Sequence, residues 1–165
     1  MKYNVLIIGY GSIGKRHHTI LKTFKNIDNI YIYTKQRTTN AIHSLNKVKN
    51  LKINYILVCS ETHKHHTQLK WIDKNFKNIK VFVEKPLFSK YFNTKLNNND
   101  YFIGYNMRFN PIINFIKKSI KNKKIYSVNI ICSSYLPDWR DSNYKNSYSA
   151  IKSKGGGVLL DLSHD

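Results

Sequence analysis

Three residues in this sequence have side chains and neighbours suited to moving a proton on a hydroxyl group: Lys85, Asp161 and His164. Lys85 stands in Glu84-Lys85-Pro86, directly after the apolar run Val81, Phe82, Val83. An amine at the end of a mostly buried strand can donate to a substrate hydroxyl or alkoxide. Pro86 stiffens the exit, and a cis bond is open to it. Asp161 and His164 are three apart and share one face of a helix. A carboxylate beside an imidazole orients it and raises its pKa, which suits a general acid/base near neutral pH. Each has a plainer alternative: a lysine just past a strand end, and an incidental surface pair. Asn106 and Arg108, in Tyr105-Asn106-Met107-Arg108-Phe109, are further candidates to touch cofactor or substrate. The plainer role for Arg108 is pairing with a carboxylate.

Positioning these groups takes a scaffold, and the first stretch of the chain declares one. Val5 to His17 reads VLIIGYGSIGKRH. The apolar run Val5 to Ile8 reads as a buried strand. Gly9, Gly11 and Gly14 follow as G-x-G-x-x-G, and a helical pattern opens after them, with Ile13, Ile20 and Leu21 on its buried face. Strand, tight glycine turn and helix are the context a dinucleotide fingerprint requires. Gly9 permits the turn, Gly11 lets a pyrophosphate approach the backbone, and Gly14 lets the helix pack on the strand. The free N–H groups of the helix then face the phosphates.

The residue that reads the adenosine ribose lies about 20 residues past the glycines. Thr34, Lys35, Gln36 and Arg37 stand there, with no acid among them. Two cations and two neutral hydrogen-bonding groups favour NADP(H), with NAD(H) as the alternative. The competing view leaves Lys35 and Arg37 simply solvated.

Further along, strands are expected at residues 4–8, 30–33, 55–59, 81–83 and 101–105. Helices are expected at 12–24, 38–48 and 62–75, and another starting at Pro111 with Ile112, Ile113, Phe115, Ile116 and Ile120 on its buried side. This alternation argues for an α/β fold, a doubly wound parallel sheet. A longer strand is expected at 126–134, followed by an irregular polar and aromatic segment, then Gly155-Gly156-Gly157 and the first turns of a helix from Val158 to His164. The expected organisation is a dinucleotide-binding domain over 1–121 and, over 122–165, the opening of a second α/β domain that is otherwise missing.

Composition bounds the remaining readings. The 165 residues are 41% hydrophobic, enough for a core, and carry 28 basic against 9 acidic residues, a net charge of +19. A nucleic-acid or anionic-membrane partner is the sharp interpretation. The lysines are spread without a block of five or six, and Lys, Asn and Ile are inflated together as AT-rich coding would inflate them. Coding bias is therefore favoured, and nucleic acid ranks last among partners. Cys59 and Cys132 sit far apart in apolar runs with no C-x-x-C, so neither zinc site nor disulfide is expected, only buried free thiols in a reducing, cytoplasmic setting. No run approaches the roughly 18 to 20 apolar residues of a membrane span.

Taken together, GYGSIG, Thr62 with His65, EKP at 84–86, YNMRF and GGGVLLDLSH resemble the Gfo/Idh/MocA oxidoreductase family over essentially the whole chain. The resemblance implies an N-terminal Rossmann domain, a C-terminal α/β domain with a large open sheet, and NAD(P)-dependent hydride transfer on a sugar, cyclitol or related polyhydroxylated compound. It implies Lys85 as the catalytic lysine, with Asp161 and His164 as the acid/base pair. It assigns cofactor contacts to Gly9, Tyr10, Gly11, Ser12, Ile13, Gly14, Thr34, Lys35, Arg37, Ser60, Thr62, His65, Glu84, Lys85 and Asn106. Trp139 and Arg140 match a Trp-Arg pair near the nicotinamide end. The segment YLPDWR through SYSA looks closest to members that make surface-polysaccharide or nonulosonate sugars.

Two departures stand out. Many members space the Asp and His four apart rather than three. The family is also about twice this length, in line with two domains. Substrate binding and homo-oligomer contacts are then expected only when the missing domain is supplied. Against this enzyme stand two other functions: a non-catalytic dinucleotide-binding module, and a basic nucleic-acid-binding protein that would show steeply salt-dependent binding.

Overall fold

The computed structural model describes residues 2–38, 41–139 and 143–162, and within the last helix the side chain of Asp161 also lies outside the description. The chain divides into two compact units, Met1–Gly104 and Tyr105–Asp165.

The first unit is built on apolar runs too short for helices and rich in β-branched residues. These form β1 (Tyr3–Ile8), β2 (Ile27–Tyr33), β3 (Ala41–Ile42), β4 (Tyr55–Val58), β5 (Lys80–Val83) and β6 (Asp100–Ile103). The sheet order is β3-β2-β1-β4-β5-β6, and every pairing is parallel. That is the doubly wound order, with β1 and β4 side by side at the switch point. Central strands buried on both faces read as continuous apolar runs, as Val5, Leu6, Ile7 and Ile8 do. Leu6, Ile8, Ile56, Val58, Val81 and Val83 face one layer, where Val48, Leu69 and Ile72 meet them. Val5, Ile7, Leu57 and Cys59 face the other, against Ile13 and Leu21 of α1 (Ser12–Leu21). The first layer is covered by α2 (Leu45–Val48) and α3 (Thr62–Asn75), the latter with the expected bounds.

Several expectations are corrected. The helix expected over 38–48 shrinks to Leu45–Val48, because Ala41 and Ile42 pair with Ile32 and Tyr33 and extend the sheet instead. An open ladder on β2 outweighs local helix propensity there. Ile20 is 43% exposed, so only part of the expected face of α1 is buried.

The second unit contains α4 (Pro111–Ser119), capped by Asn110, whose side chain accepts from the N–H groups of Ile112 and Ile113. Its expected buried side is exposed: Ile112, Ile113, Phe115, Ile116 and Ile120 all face out. The strand expected over 126–134 is absent, and Ile131 is 94% exposed. A strand forms only where a neighbour completes its ladder, and no described residue pairs with this segment. Cys132 on it is therefore exposed rather than buried, while Cys59 is buried as expected. Past Gly155 and Gly157, both at positive φ, the chain enters α5 (Val158–Leu162). No described helix is long and apolar enough to cross a membrane.

Glycine geometry at the start of α1 gives a sharp test of this packing. A Cβ on Gly14 would collide with the Gly9 carbonyl oxygen, whereas one on Gly11 would meet nothing within 4 Å. Gly14→Ala should lower stability by about 1–3 kcal/mol, the usual cost of overpacking. Gly11→Ala should stay within about 0.5 kcal/mol of the wild type. Urea unfolding followed by circular dichroism distinguishes the two.

Candidate cofactor and active site

Four loops leave the carboxyl edge of the sheet of the first unit in register. Each begins with a backbone bond to the adjacent strand: Gly9 N–H to the Tyr33 carbonyl at 2.9 Å, Cys59 N–H to Ile8 at 2.7 Å, Glu84 N–H to Val58 at 2.9 Å and Gly104 N–H to Val83 at 2.8 Å. The edge of an open α/β sheet beside its switch point is where such folds hold ligands.

Gly9 takes φ of 94°, and a Cβ on it would stand 2.6 Å from the Ser60 nitrogen. The turn after β1 thus lies against the loop after β4 with no side chain between them. Gly11 is the N-cap of α1, with no side-chain cap and no acid in the first turn. The N–H groups of that turn therefore have no side-chain acceptor, and the space above Gly11 is open. Exposed Ser12 and half-buried Tyr10 and Ile13 flank it. This arrangement fits the pyrophosphate of a dinucleotide.

At the end of β2, Thr34 is buried and its hydroxyl accepts from the Gln36 N–H at 3.2 Å. Lys35 and Arg37 are exposed beside it. At the end of β4, the Ser60 hydroxyl donates to Gln68 Oε1 at 2.6 Å, and Thr62 opens α3 in a buried position.

His65, one turn on, is 1% exposed. Its Nδ1 lies 3.0 Å from the Leu87 carbonyl oxygen and its Nε2 3.0 Å from that of Ser60. The ring ties the Ser60 loop to the segment that follows Lys85. Burial lowers its pKa, against the pull of the carbonyls it faces, and in the neutral ring one nitrogen donates while the other does not.

Glu84 and Lys85 follow β5, and the Lys85–Pro86 bond is cis. Glu84 Oε1 accepts from His17 Nε2 at 2.6 Å, and Glu84 Oε2 accepts from the Lys85 N–H at 3.3 Å. The structure thus brings together, at one edge, the glycine turn, residues 34–37, the Ser60–His65 loop and Glu84-Lys85. His17 is a member that sequence reasoning passed over. The available signal was its position three residues past Gly14, which puts both on one face of α1.

Residues 3–95 fit the Gfo/Idh/MocA model, described as an oxidoreductase family with an NAD-binding Rossmann fold. The chain belongs to this family. Solved structures of similar fold include an NAD-binding protein from Listeria innocua, with TM-score 0.63 and 19% identity, covering 98% of this chain and 51% of that one. A myo-inositol 2-dehydrogenase from Lactobacillus plantarum has TM-score 0.62 and 17% identity over 74% of this chain and 42% of its own. The WlbA dehydrogenase from Bordetella pertussis, in complex with NADH and UDP-GlcNAcA, has TM-score 0.61 and 17% identity over 73% and 42%. This Gfo/Idh/MocA chain therefore spans about half the length of the solved relatives it matches. No curated protein matches its sequence.

The other expected site residues lie in the second unit. Asn106 is exposed on a short 3-10 turn, Asn106–Phe109. Arg108 turns its Nε onto the Tyr105 carbonyl at 3.0 Å and its guanidinium over the Tyr105 ring. Trp139 donates its indole N–H to the Ser134 hydroxyl. Asp161 lies in α5, but its side chain, with His164 and Arg140, falls outside the described residues. Among the described residues no group of three His, Cys, Asp or Glu is placed to hold a metal.

The buried imidazole makes stability pH-dependent. A histidine whose folded pKa lies below its ordinary 6.5 binds its proton more readily when unfolded. Its contribution is complete above that value and is lost as pH falls below it. His18 and His66 are lowered in the same direction, both first by burial and then by neighbouring lysines. Stability should therefore fall as pH drops below 6.5, and His65→Gln should make that fall shallower. Urea midpoints across the range read both.

Proposed function

We propose that this chain is the cofactor-binding part of an NAD(P)-dependent oxidoreductase acting on a sugar or related polyhydroxylated compound. The observation that carries it is the open, uncapped N-terminus of α1 above Gly11, at the switch point of the sheet. Gly9, Gly11, Gly14 and the first turn of α1 hold the pyrophosphate. Lys35 and Arg37 hold a 2′-phosphate, which favours NADP(H), and the absence of a carboxylate over 34–37 supports that choice. When bound, the nicotinamide supplies hydride exchange. Lys85 donates to the substrate oxygen at the reacting carbon and steadies it as an alkoxide. His164, oriented by Asp161, takes or returns the hydroxyl proton. His65, bonded to the Ser60 carbonyl, and Thr62 would belong to the loop that holds the cofactor, and Asn106, Trp139 and Arg140 would belong to the nicotinamide end. The inositol and UDP-GlcNAcA in the descriptions of similar structures support the substrate class. The stretch YLPDWR through SYSA supports a role in surface-polysaccharide sugars.

The test is titration of the purified chain with NADPH and NADH, following nicotinamide fluorescence and thermal unfolding. Binding of NADPH is expected to be tighter, and Arg37→Ala should remove about tenfold of the preference, the scale of one lost charge-assisted contact. Gly11→Val should abolish binding while leaving the melting temperature in place. A preference for NADH would overturn the phosphate assignment alone. A folded chain that binds neither would sink the function.

A further inference from the structure

The glycine turn and the Glu84-Lys85-Pro86 loop rise from different strands, β1 and β5, with β4 between them. One side chain joins them. His17 projects from α1 one turn beyond Gly14, and Gly14 is locked against the Gly9 carbonyl, so His17 is fixed relative to the turn. The His17 ring stands edge-on to Phe82 of β5, with centroids 5.4 Å apart. From there Nε2 reaches Glu84 Oε1 at 2.6 Å, and the second oxygen of the same carboxylate accepts the Lys85 N–H.

Burial separates this pair from ordinary surface pairing. The His17 and Glu84 side chains are 22% and 14% exposed, against 43% and 42% for Lys64 and Glu61, and 74% and 46% for Lys2 and Asp28. Exposed pairs contribute little, whereas a partly buried, charge-assisted bond with short geometry holds its partners in place. Freed from His17, the Glu84 carboxylate would gain rotamer freedom and its bond to the Lys85 amide would loosen with it.

We propose that His17 is a positioning residue that sets the place of Lys85 through the Glu84 carboxylate. It thereby couples the phosphate-binding helix to the lysine. The meaning of this for catalysis rests on the proposed role of Lys85, but the coupling itself is a property of the chain without cofactor.

The experiment compares wild type, His17→Phe, His17→Gln and Glu84→Ala in the full 165-residue chain. Phenylalanine keeps the ring against Phe82 but has no donor, and glutamine restores an N–H donor. Amide hydrogen exchange is read at Lys85, with β1 and β4 as internal reference. His17→Phe should speed exchange at Lys85 about tenfold and leave β1 and β4 unchanged. His17→Gln should return it to within about threefold of wild type. Glu84→Ala, which removes both bonds and leaves His17 in place, should speed exchange at Lys85 as His17→Phe does, and serves if the phenylalanine variant does not fold. NADH affinity should weaken in step with exchange. Unchanged exchange at Lys85, or a rise shared equally by β1 and β4, overturns the proposal. Failure of the wild-type chain to bind NADH or NADPH would sink the proposed function, while the exchange at Lys85 would still decide the role of His17.

Discussion

The close approach of Gly9 to the Ser60 backbone is the constraint on which the rest of the first unit depends. β1 and β4 are hydrogen-bonded neighbours, so the loops that leave them must share the same few ångströms. They do so only because no side chain intervenes: a Cβ on Gly9 would stand 2.6 Å from Ser60 N and 2.7 Å from its Cα. Gly14 repeats the device one step later, bringing α1 down onto the Gly9 carbonyl. Three backbone segments therefore meet at one point, and their positions are set by van der Waals contact and ladder bonds rather than by flexible side chains. Open space above Gly11 is the consequence. The turn is tight below and open above, on the side where the N–H groups of α1 emerge.

A second constraint is the crossover from β5 to β6. Parallel neighbours are usually joined through a helix, which satisfies its own backbone groups. Residues 84–99 contain no helix. The run Tyr91 to Asp100 is rich in Asn and poor in the apolar residues a helix would need for packing. The segment is held instead by α3. His65 bonds the Leu87 carbonyl, His66 stacks on Phe92 and bonds Thr94, and Asp73 accepts from Asn97, Asn98 and Tyr101. Leu87, Phe88 and Leu96 pack against the core beneath it. Two histidines and an aspartate along one helix thus replace bonds that a crossover helix would make within itself. Because the strap begins at Glu84, whatever fixes the strap also fixes the lysine at its head.

Much of this was legible in the chain because it depends on local patterns. Val5 to Ile8 announces a strand buried on both faces, and glycines at 9, 11 and 14 announce the turn, since these features arise within a dozen residues. The bounds of α3 were readable for the same reason. What escaped was decided by partners distant in sequence. Ala41 and Ile42 become a strand because β2 offers an open edge, not because of their own propensity. Residues 126–134 have a strand composition, yet no described residue completes their ladder, so they take no regular structure and Cys132 stays exposed. The spacing of His17 from Gly14 marks its face of α1 but not its partner, because Glu84, 67 residues away in sequence, meets it only once β5 has been placed beside β4. A candidate site can thus be half visible in a sequence: the backbone cradle is local, while the bonds between its side chains are not.

Charge obeys the same distinction between sum and placement. A net charge of +19 spread over the chain attracts any anion weakly and selects none. Beyond about 8 Å at physiological salt, most of that field is screened. Lys35 and Arg37 differ from the other cations by where they are held. They stand two and four residues past Tyr33, the last residue of β2, on a turn whose Thr34 hydroxyl is bonded to the Gln36 amide and whose Thr34 carbonyl accepts from His43 at 2.8 Å. Thr34 N–H is bonded in turn to Ile42 of β3. The short third strand, invisible in the local sequence, is thereby part of what anchors the turn. The backbone of the turn that carries Lys35 and Arg37 is therefore held from outside itself, by the Thr34 hydroxyl, the His43 ring and two residues of strand.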